Sequence, residues 1–260
     1  MLPRPFGERV GVRGRAYLNV KALDLFREKL LSMFTIINRL IERMFKKIGI
    51  LVACHSYMHE GIVAQKLLPR FANNPQNVNI DLPRNIVNSD RIFLGDNIYL
   101  GPNSLLIALT GYPGPTMQHP EKKGTTQTFD SRISIGSRVT STGQLQVAAM
   151  SEIIIEDDVM FATNVNITDG FHGYTRIDEP FKYQEIIRIQ PIRIKRGCWI
   201  GQNVVIFPGV TIGEMTVIGA NSVVTKSIPE RSIAVGSPAK VFKKWDEVEG
   251  GWVPVRNQTK

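Results

Sequence analysis

Residues 194–229 read IKRGCW IGQNVV IFPGVT IGEMTV IGANSV VTKSIP when they are divided into blocks of six. Each block opens on an aliphatic residue, at Ile194, Ile200, Ile206, Ile212, Ile218 and Val224. A period of six matches neither the 3.6-residue turn of a helix nor the two-residue alternation of a strand. It is typical of a parallel β-helix, in which each hexapeptide forms one flat side of a triangular coil and stacks on its copy in the next coil. The sequence therefore predicts a mainly β solenoid with these aliphatic residues inside it.

The same register extends towards the N-terminus, with two interruptions. Register positions recur at Leu94, Leu100, Leu106, Ile135, Ser141, Val147, Ile155, Phe161 and Ile167. Polar insertions break the pattern at residues 111–130 and 169–190. Loops that interrupt a rigid scaffold often carry binding and catalytic groups, and the alternative for each is a tolerated surface insertion. We predict a solenoid domain over residues 91–244, a separate segment at 1–90 and a tail at 245–260.

The composition is that of an ordinary globular protein. Of the 260 residues, 43% are hydrophobic and 21% are charged. Two cysteines, Cys54 and Cys198, are too few for a disulfide framework, and we expect Cys198 to be a buried thiol in a reducing compartment. The first residues are rich in Arg and Gly and contain no early apolar segment, which does not predict a signal peptide. We therefore expect a cytoplasmic protein.

The basic charge is concentrated in the first segment of the chain. The net charge is +9, and residues 1–90 hold 14 Lys and Arg against 7 Asp and Glu. Apolar residues recur three and four apart between Leu23 and Ile48, which predicts an amphipathic helix. Charges interrupt it too often for a membrane span of about 20 apolar residues. Its apolar face could pack on the solenoid or on a neighbouring subunit, or lie peripherally on the inner face of an anionic membrane. No nucleic-acid-binding motif accompanies the charge, so nucleic acid is not an expected partner.

The C-terminal half resembles a known family. The run from Trp199 through the closing GSPAKVFKK, residues 236–244, resembles the hexapeptide-repeat acyltransferases, most closely the sugar and polysaccharide O-acetyltransferases of the maltose and galactoside type. The resemblance is strong over residues 192–244, fair over 131–191, weak over 91–110 and absent before residue 91. It implies a left-handed parallel β-helix that forms a homotrimer, with acetyl-CoA in the cleft between neighbouring subunits and no metal. The implied reaction moves an acetyl group from acetyl-CoA to a hydroxyl of a sugar or polysaccharide precursor.

Such a transfer needs a base, because a hydroxyl is a weak nucleophile, and a histidine suits that role at neutral pH. His172 lies in the second insertion, before the Trp199-Ile200-Gly201 triplet, where the family carries its catalytic histidine. We therefore expect His172 to be the base. Asp169 could orient its imidazole or could be a plain turn residue. Gly170 replaces the first histidine of the family's D-H-x-H-G-Y loop, and His119 in the first insertion is the alternative base.

The resemblance also assigns binding residues by motif position. Cations suit the phosphates of CoA because the hydrogen bonds are charge-assisted, and small residues let a ligand approach the coil closely. Each glycine could equally be a coil corner, and each lysine a solvated charge. The residues expected to bind acetyl-CoA are Trp199, Gly201, Gly219, Ala220, Thr225, Lys226, Lys240 and Lys243. The residues expected to face the acceptor are Thr142, Asn164 and Tyr174; the galactoside enzymes carry Asn at the position of Thr142, which argues for a different acceptor here.

Three other functions fit parts of the sequence. A metal enzyme of the γ-carbonic-anhydrase type shares the fold class but requires three histidine ligands, and only His172 lies securely in the later coils. N-acetylation of an amino sugar could use the same base. A non-catalytic scaffold would need neither the histidine nor the CoA residues. The catalytic residues do not distinguish a soluble acceptor from one held at a membrane.

Overall fold

The structure is a computed structural model, and it describes residues 28–48, 67–114, 117–121 and 126–255. The first residues of the predicted helix, from Leu23, and Cys54 lie outside the described residues. The chain divides into two compact units, Met1–His59 and Glu60–Lys260, and each is considered by itself.

In the first unit, residues 28–48 form one α-helix, α1, which confirms the predicted helix over this part of its range. Its large apolar side chains are exposed in the structure. Within the described ranges, no helix combines the length and the apolar character needed to cross a membrane.

The second unit is built from three sheets, and the chain passes from sheet one to sheet two to sheet three in each coil. Sheet one contains, in spatial order, β1 (Val78–Ile80), β4 (Ile98–Leu100), β9 (Thr140–Ser141), β12 (Met160–Phe161), β17 (Trp199–Ile200), β20 (Val217–Ile218), β22 (Ser232–Gly236), β23 (Ala239–Asp246) and β24 (Gly251–Pro254). Sheet two contains β2 (Arg84–Val87), β5 (Ser104–Ala108), β10 (Leu145–Ala149), β13 (Val165–Thr168), β18 (Val205–Ile206) and β21 (Val223–Val224). Sheet three contains β3 (Ile92–Leu94), β8 (Arg132–Ile135), β11 (Glu152–Ile155), β16 (Ile192–Ile194) and β19 (Thr211–Ile212).

Strands in these sheets pair in parallel between coils, except that β23 and β24 add to β22 as antiparallel strands. Two antiparallel hairpins lie in the insertions: β6 (Gly111–Tyr112) with β7 (Gln127–Thr128), and β14 (Phe171–His172) with β15 (Ile186–Ile187). Short 3₁₀ turns occupy Ser89–Arg91 and Phe181–Tyr183.

The predicted register is confirmed strand by strand. Each sheet contributes one buried column of register residues to the interior, and the apolar side chains in a column lie directly above one another. In sheet three the column is Leu94, Ile135, Ile155, Ile194 and Ile212. In sheet one it is Leu100, Ser141, Phe161, Ile200 and Ile218. In sheet two it is Leu106, Val147, Ile167, Ile206 and Val224.

The corner between sheets one and two is built from asparagines in left-handed backbone. Asn164, Asn203 and Asn221 have φ of 61°, 58° and 59°. Asparagine tolerates this conformation better than most residues. Asn164 Nδ2 donates to Asn203 Oδ1 at 2.9 Å, and Asn203 Nδ2 donates to Asn221 Oδ1 at 2.9 Å. The side chains therefore form an amide ladder that links three successive coils along this corner.

Both ends of the predicted solenoid domain, residues 91–244, lie at other positions in the structure. The solenoid begins before residue 91, because β1 and β2 already pair in parallel with β4 and β5. Ile80 and Ile86 continue the columns of Leu100 and Leu106 into this first coil. The predicted tail from residue 245 is partly ordered as strand, since β23 runs to Asp246 and β24 pairs with it.

Cys198 is buried, as predicted, at 1% exposure. Its Sγ donates to the carbonyl oxygen of Gly213 at 3.0 Å. Burial raises the pKa of this thiol to about 11. The thiolate form is therefore scarce at neutral pH, and the side chain acts as a small apolar residue of the core.

Because the coils stack closely, the fold does not accommodate a side chain at Gly213. A Cβ atom at Gly213 would lie 2.2 Å from the backbone nitrogen of Glu230, whereas a Cβ at Gly114 would have no atom within 4 Å. Because backbone atoms cannot yield as a flexible side chain does, we expect Gly213→Ala to destabilise the fold by about 2 kcal/mol or more. Gly114→Ala should change stability by less than about 0.5 kcal/mol. Thermal denaturation of both variants measures this, and equal midpoints would contradict the predicted coil spacing.

Candidate functional site

The three sheets form the three faces of a triangular prism. Both insertions extend from one corner of this prism, between sheet two and sheet three, which we call the loop corner. The first insertion follows β5 and the second follows β13, and among the described strands of sheet two β10 alone lies between them. Neighbouring parallel strands lie about 4.8 Å apart, so the two insertions start about 10 Å apart along the prism. This spacing brings the two loops into contact.

The contact is made by a polar clamp at the centre of the two hairpins. Ile186, on β15, donates its backbone N–H to Oε1 of Gln127 at 2.6 Å, and Nε2 of Gln127 donates back to the carbonyl oxygen of Ile186 at 3.1 Å. One side-chain amide thus satisfies both main-chain groups of Ile186, as a neighbouring strand would do. The hydroxyl of Tyr112 adds a hydrogen bond to the carbonyl oxygen of Lys182.

His172 lies beside this clamp. It is the cross-strand partner of Ile186, and Tyr112 is the cross-strand partner of Gln127. The rings of Tyr112 and His172 meet edge to face, with centroids 5.1 Å apart and an angle of 67°. His172 is exposed while Tyr112 is buried. We call Tyr112, Gln127, His172 and Ile186 the loop junction.

Burial raises the pKa of the Tyr112 phenol. This group therefore stays neutral at physiological pH and places no negative charge beside the imidazole. Its buried ring packs against the ring of His172, which remains exposed. An accessible imidazole with a packed neighbour is what a general base at this corner would require.

His119, in the first insertion, also contacts the second insertion. Its ring lies 4.8 Å from that of Tyr183 in the second insertion, at an angle of 69°. Its Nδ1 accepts the backbone N–H of Glu121 at 3.0 Å. A neutral imidazole that accepts at Nδ1 carries its proton on Nε2. The ring of His119 is thus engaged by both Tyr183 and Glu121.

Asp169 has a different environment from the one expected for a catalytic partner of His172. It is fully buried, and its two carboxylate oxygens accept the backbone N–H groups of Met150 at 2.6 Å and Ser151 at 2.7 Å. Burial raises the pKa of this carboxyl group, and these hydrogen bonds oppose the increase. The carbonyl oxygen of Asp169 also accepts from Gln190 N at 2.9 Å. Asp169 therefore ties both ends of the second insertion to the coil before it.

Part of the predicted acetyl-CoA set shares the loop corner with His172. Thr225 and Lys226 are exposed and follow β21 in sheet two. The coil between them and the second insertion presents Phe207, whose ring packs on Phe171 with centroids 4.9 Å apart. Lys226 and the start of the second insertion therefore share one corner, two coils or about 10 Å apart along the prism.

The predicted glycines lie elsewhere, next to the corner between sheets one and two. A Cβ at Gly201 would lie 2.7 Å from the backbone nitrogen of Ala220, and a Cβ at Gly219 would lie 2.6 Å from Cγ1 of Val235. The stacking of coils is thus sufficient to require Gly201 without a ligand, whereas the contact at Gly219 is with a side-chain methyl group. Within one chain these residues and Ala220 are not brought to the corner that carries His172.

Trp199, Lys240 and Lys243 lie on the sheet-one side of the prism. Trp199, on β17, faces outward beside Met160 and is 49% exposed. Lys240 and Lys243 lie on β23, which pairs with β22, and the Nζ of Lys243 lies 5.6 Å from the ring centre of Phe242. A single chain therefore divides the predicted acetyl-CoA residues between two regions.

The three residues expected to face the acceptor are also separated. Thr142 lies near the corner between sheets one and two, where its Oγ1 lies 2.8 Å from Oγ1 of Thr163. Asn164 belongs to the amide ladder, so its amide already has a structural partner. Tyr174 alone lies in the second insertion near His172; it is exposed, and the guanidinium of Arg188 lies 5.9 Å from its ring centre.

Gln127 and Tyr112 were not identified from the sequence. Both lie in the first insertion, where the hexapeptide register is lost and nothing in the local sequence specifies a partner 59 residues away. Only the common corner of the two insertions brings them to His172. Within the described part of the chain, no group of three or more His, Cys, Asp or Glu side chains is arranged to hold a metal ion.

The family model described as bacterial transferase hexapeptide (six repeats) matches residues 191–226. The chain carries the hexapeptide repeat of the bacterial transferases. The resemblance to the hexapeptide-repeat family is confirmed over these residues, and the three parallel sheets together with this repeat confirm the predicted mainly β fold, a parallel β-helix.

The curated relatives are acetyltransferases by name. Galactoside O-acetyltransferase of Escherichia coli K12 is 38% identical over 116 residues, which are 45% of this chain and 56% of the relative. WbbJ of the same organism, named as a candidate lipopolysaccharide biosynthesis O-acetyl transferase, is 32% identical over 126 residues, which are 46% of this chain and 64% of the relative. The chain thus spans less than two thirds of the length of these relatives.

Among solved structures, a mutant of the N-acyltransferase AntD from Bacillus cereus, in complex with dTDP and coenzyme A, covers 71% of this chain and 88% of its own. Its TM-score is 0.47 and its sequence identity is 21%.

The clamp predicts a local effect on hydrogen exchange. Gln127→Ala should leave both main-chain groups of Ile186 without their partner, so we expect the amide of Ile186 to exchange roughly ten-fold faster. Gln146→Ala is the matched control, because the side-chain amide of Gln146 also makes a hydrogen bond, in which its Oε1 accepts from Nδ2 of Asn166 at 3.1 Å, but on the outer face of sheet two. Hydrogen exchange followed by mass spectrometry measures both. Equal protection of Ile186 in the two variants would show that the clamp does not hold the insertions together.

Proposed function

We propose that this protein is an acetyltransferase that moves the acetyl group of acetyl-CoA to a hydroxyl of a sugar or glycan precursor, with His172 as the general base. The observation that carries the proposal is the loop junction: an exposed imidazole, fixed by Tyr112 and by the clamped hairpin, at the corner that also presents Lys226. The confirmed hexapeptide repeat and the names of the relatives support the reaction class.

The proton balance assigns a simple role to His172. The acceptor oxygen forms a bond to the thioester carbonyl carbon as its proton moves to the imidazole. The carbon–sulfur bond then breaks, and the sulfur takes up that proton. The products are an acetyl ester and a free thiol, nothing is oxidised, and His172 ends as it began.

Tyr112 and Asp169 act in this proposal as positioning residues. The ring of Tyr112 packs against the imidazole, and its phenol is neutral. Asp169 does not orient the ring; its carboxylate fixes the start of the second insertion through Met150 and Ser151. Both therefore influence transfer through the placement of His172.

Lys226 supports acetyl-CoA as the donor. Its ammonium group is exposed at the loop corner, where it can form charge-assisted hydrogen bonds with a CoA phosphate. Thr225 beside it adds a hydroxyl. The half-buried outer face of sheet two, which includes Leu105, Val205 and Val223, leads from this corner to the one that carries Gly201 and Ala220. An extended ligand could follow this face.

We propose that the protein is a homotrimer, because a single chain divides the residues expected at the site between different corners. Thr142, Gly201 and Ala220 lie at the corner between sheets one and two, whereas His172 lies at the loop corner. Packing of prisms side by side brings a corner of one subunit next to a face of another, so a site between subunits can combine both sets. The exposed side chains of Met160 and Trp199 on sheet one provide apolar surface for such packing.

The catalytic assignment predicts unequal effects of two histidine substitutions. His172→Gln keeps a similar volume against Tyr112 but removes the base, so we expect transfer to fall by about 100-fold or more. His119→Gln should retain activity within about three-fold, because this ring is engaged with Tyr183 and Glu121. Thiol release from acetyl-CoA, measured with a panel of neutral sugars and amino sugars, reports the rates.

Each result of this assay has a distinct meaning. Full activity of His172→Gln would remove it as the base, and loss of activity only in His119→Gln would transfer the role to His119. Transfer to amino sugars alone would favour N-acetylation. Absence of transfer together with absence of acetyl-CoA binding by the wild-type protein would favour a scaffold.

A further inference from the structure

Helix α1 has two sharply separated sides. With 3.6 residues per turn, nine apolar residues fall on one continuous arc of about 140° that contains no polar residue. We call this the apolar arc. Its members are Leu30, Met33, Phe34, Ile37, Leu40, Ile41, Met44, Phe45 and Ile48. The rest of the helix is polar apart from two residues, Leu31 and Ile36.

Every member of the apolar arc is exposed in the structure, by between 42% and 65%. A continuous apolar surface of this size is costly in water and marks an interaction site. Helix α1 contains 21 residues and is therefore about 32 Å long, so the surface extends along its whole length.

The charges indicate what covers this surface. The helix carries five basic residues, Lys29, Arg39, Arg43, Lys46 and Lys47, and two acidic ones, Glu28 and Glu42. Lys29 and Lys47 lie at the margin of the apolar arc, where their long stems can follow the apolar side while the ammonium groups remain in a polar layer. An anionic lipid surface accepts the apolar arc and the cations together. A bundle of helix copies would cover the arc but leave the five cations facing water.

The breadth of the apolar arc also favours an anionic lipid surface over a second helix. A seam between two helices uses a narrow stripe of about two residues in seven. Here nine of 21 residues form the arc, with Phe34 and Phe45 at one edge and cations on the polar side, which is the pattern of helices that lie in a membrane interface.

We propose that α1 lies in the plane of an anionic membrane, with the apolar arc at the boundary of the acyl chains and the basic residues against acidic headgroups. The ligand chemistry is that of an acidic phospholipid surface. This inference rests on α1 alone and is independent of the proposed acetyl transfer.

The test uses the full chain and two substitutions of the same kind in one helix. Ile41 lies near the centre of the apolar arc and Ile36 on the polar side, and they are 42% and 58% exposed. Ile41→Glu and Ile36→Glu therefore add the same charge to the same helix, on opposite sides. Co-sedimentation is measured with vesicles of phosphatidylcholine alone and with vesicles that contain about 30% phosphatidylglycerol, at low and high salt, and circular dichroism checks the helix content.

We expect the wild-type protein to bind the phosphatidylglycerol vesicles roughly ten-fold or more tightly than the neutral ones, and binding to weaken in high salt. Ile41→Glu should weaken binding at least about ten-fold, and Ile36→Glu by less than about three-fold. Absence of wild-type binding, or equal losses in the two variants, would overturn the proposal. So would light scattering that shows a loss of subunits in Ile41→Glu without a change in vesicle binding, because the arc would then cover another copy of the chain.

Discussion

Each coil of the prism is joined to the next by parallel main-chain hydrogen bonds and by an interior side chain that lies on its equivalent one coil away, as Ile135, Ile155 and Ile194 do. This stacking at about 4.8 Å limits what else the chain can do. The interior accepts only side chains that fill the column, and the stacked turns require glycine where Gly213 meets the backbone of Glu230. Extra residues can leave only at a corner, and both long insertions do so.

The candidate site depends on where those insertions leave. Because β5 and β13 are separated by one strand of the same sheet, the two hairpins are close enough for Gln127 to bond both main-chain groups of Ile186. Tyr112 then meets His172 across the same junction. Buried Asp169 fixes the root of the second hairpin on the preceding coil. The position of His172 is thus set by the stacked coils, by the contact between the two insertions and by the carboxylate of Asp169.

Much of the fold follows from the sequence because a hexapeptide register needs only local information. Every predicted register residue from Leu94 to Val224, including the small Ser141, occupies its column. The first coil was not predicted, since the turn at Ser89–Arg91 lengthens the step from Ile86 to Leu94. The partners of Asp169 and Gln127 were not predicted either, because they are set by which strands become neighbours. Asn164 was assigned to the acceptor, but its position in the ladder depends on coils that lie far away in the sequence.

The measurement that tests the central claim most directly is a calorimetric titration of the wild-type protein with acetyl-CoA, repeated with Lys226→Ala and Lys195→Ala. Lys195 follows β16 and lies at the corner between sheets three and one, so it is a matched lysine away from the loop corner. The proposed site predicts binding by the wild-type protein, roughly ten-fold weaker binding by Lys226→Ala because a charge-assisted contact is lost, and unchanged affinity in Lys195→Ala. Absence of binding by the wild-type protein, or equal affinities in all three proteins, would contradict the assignment of the loop corner as the acetyl-CoA site.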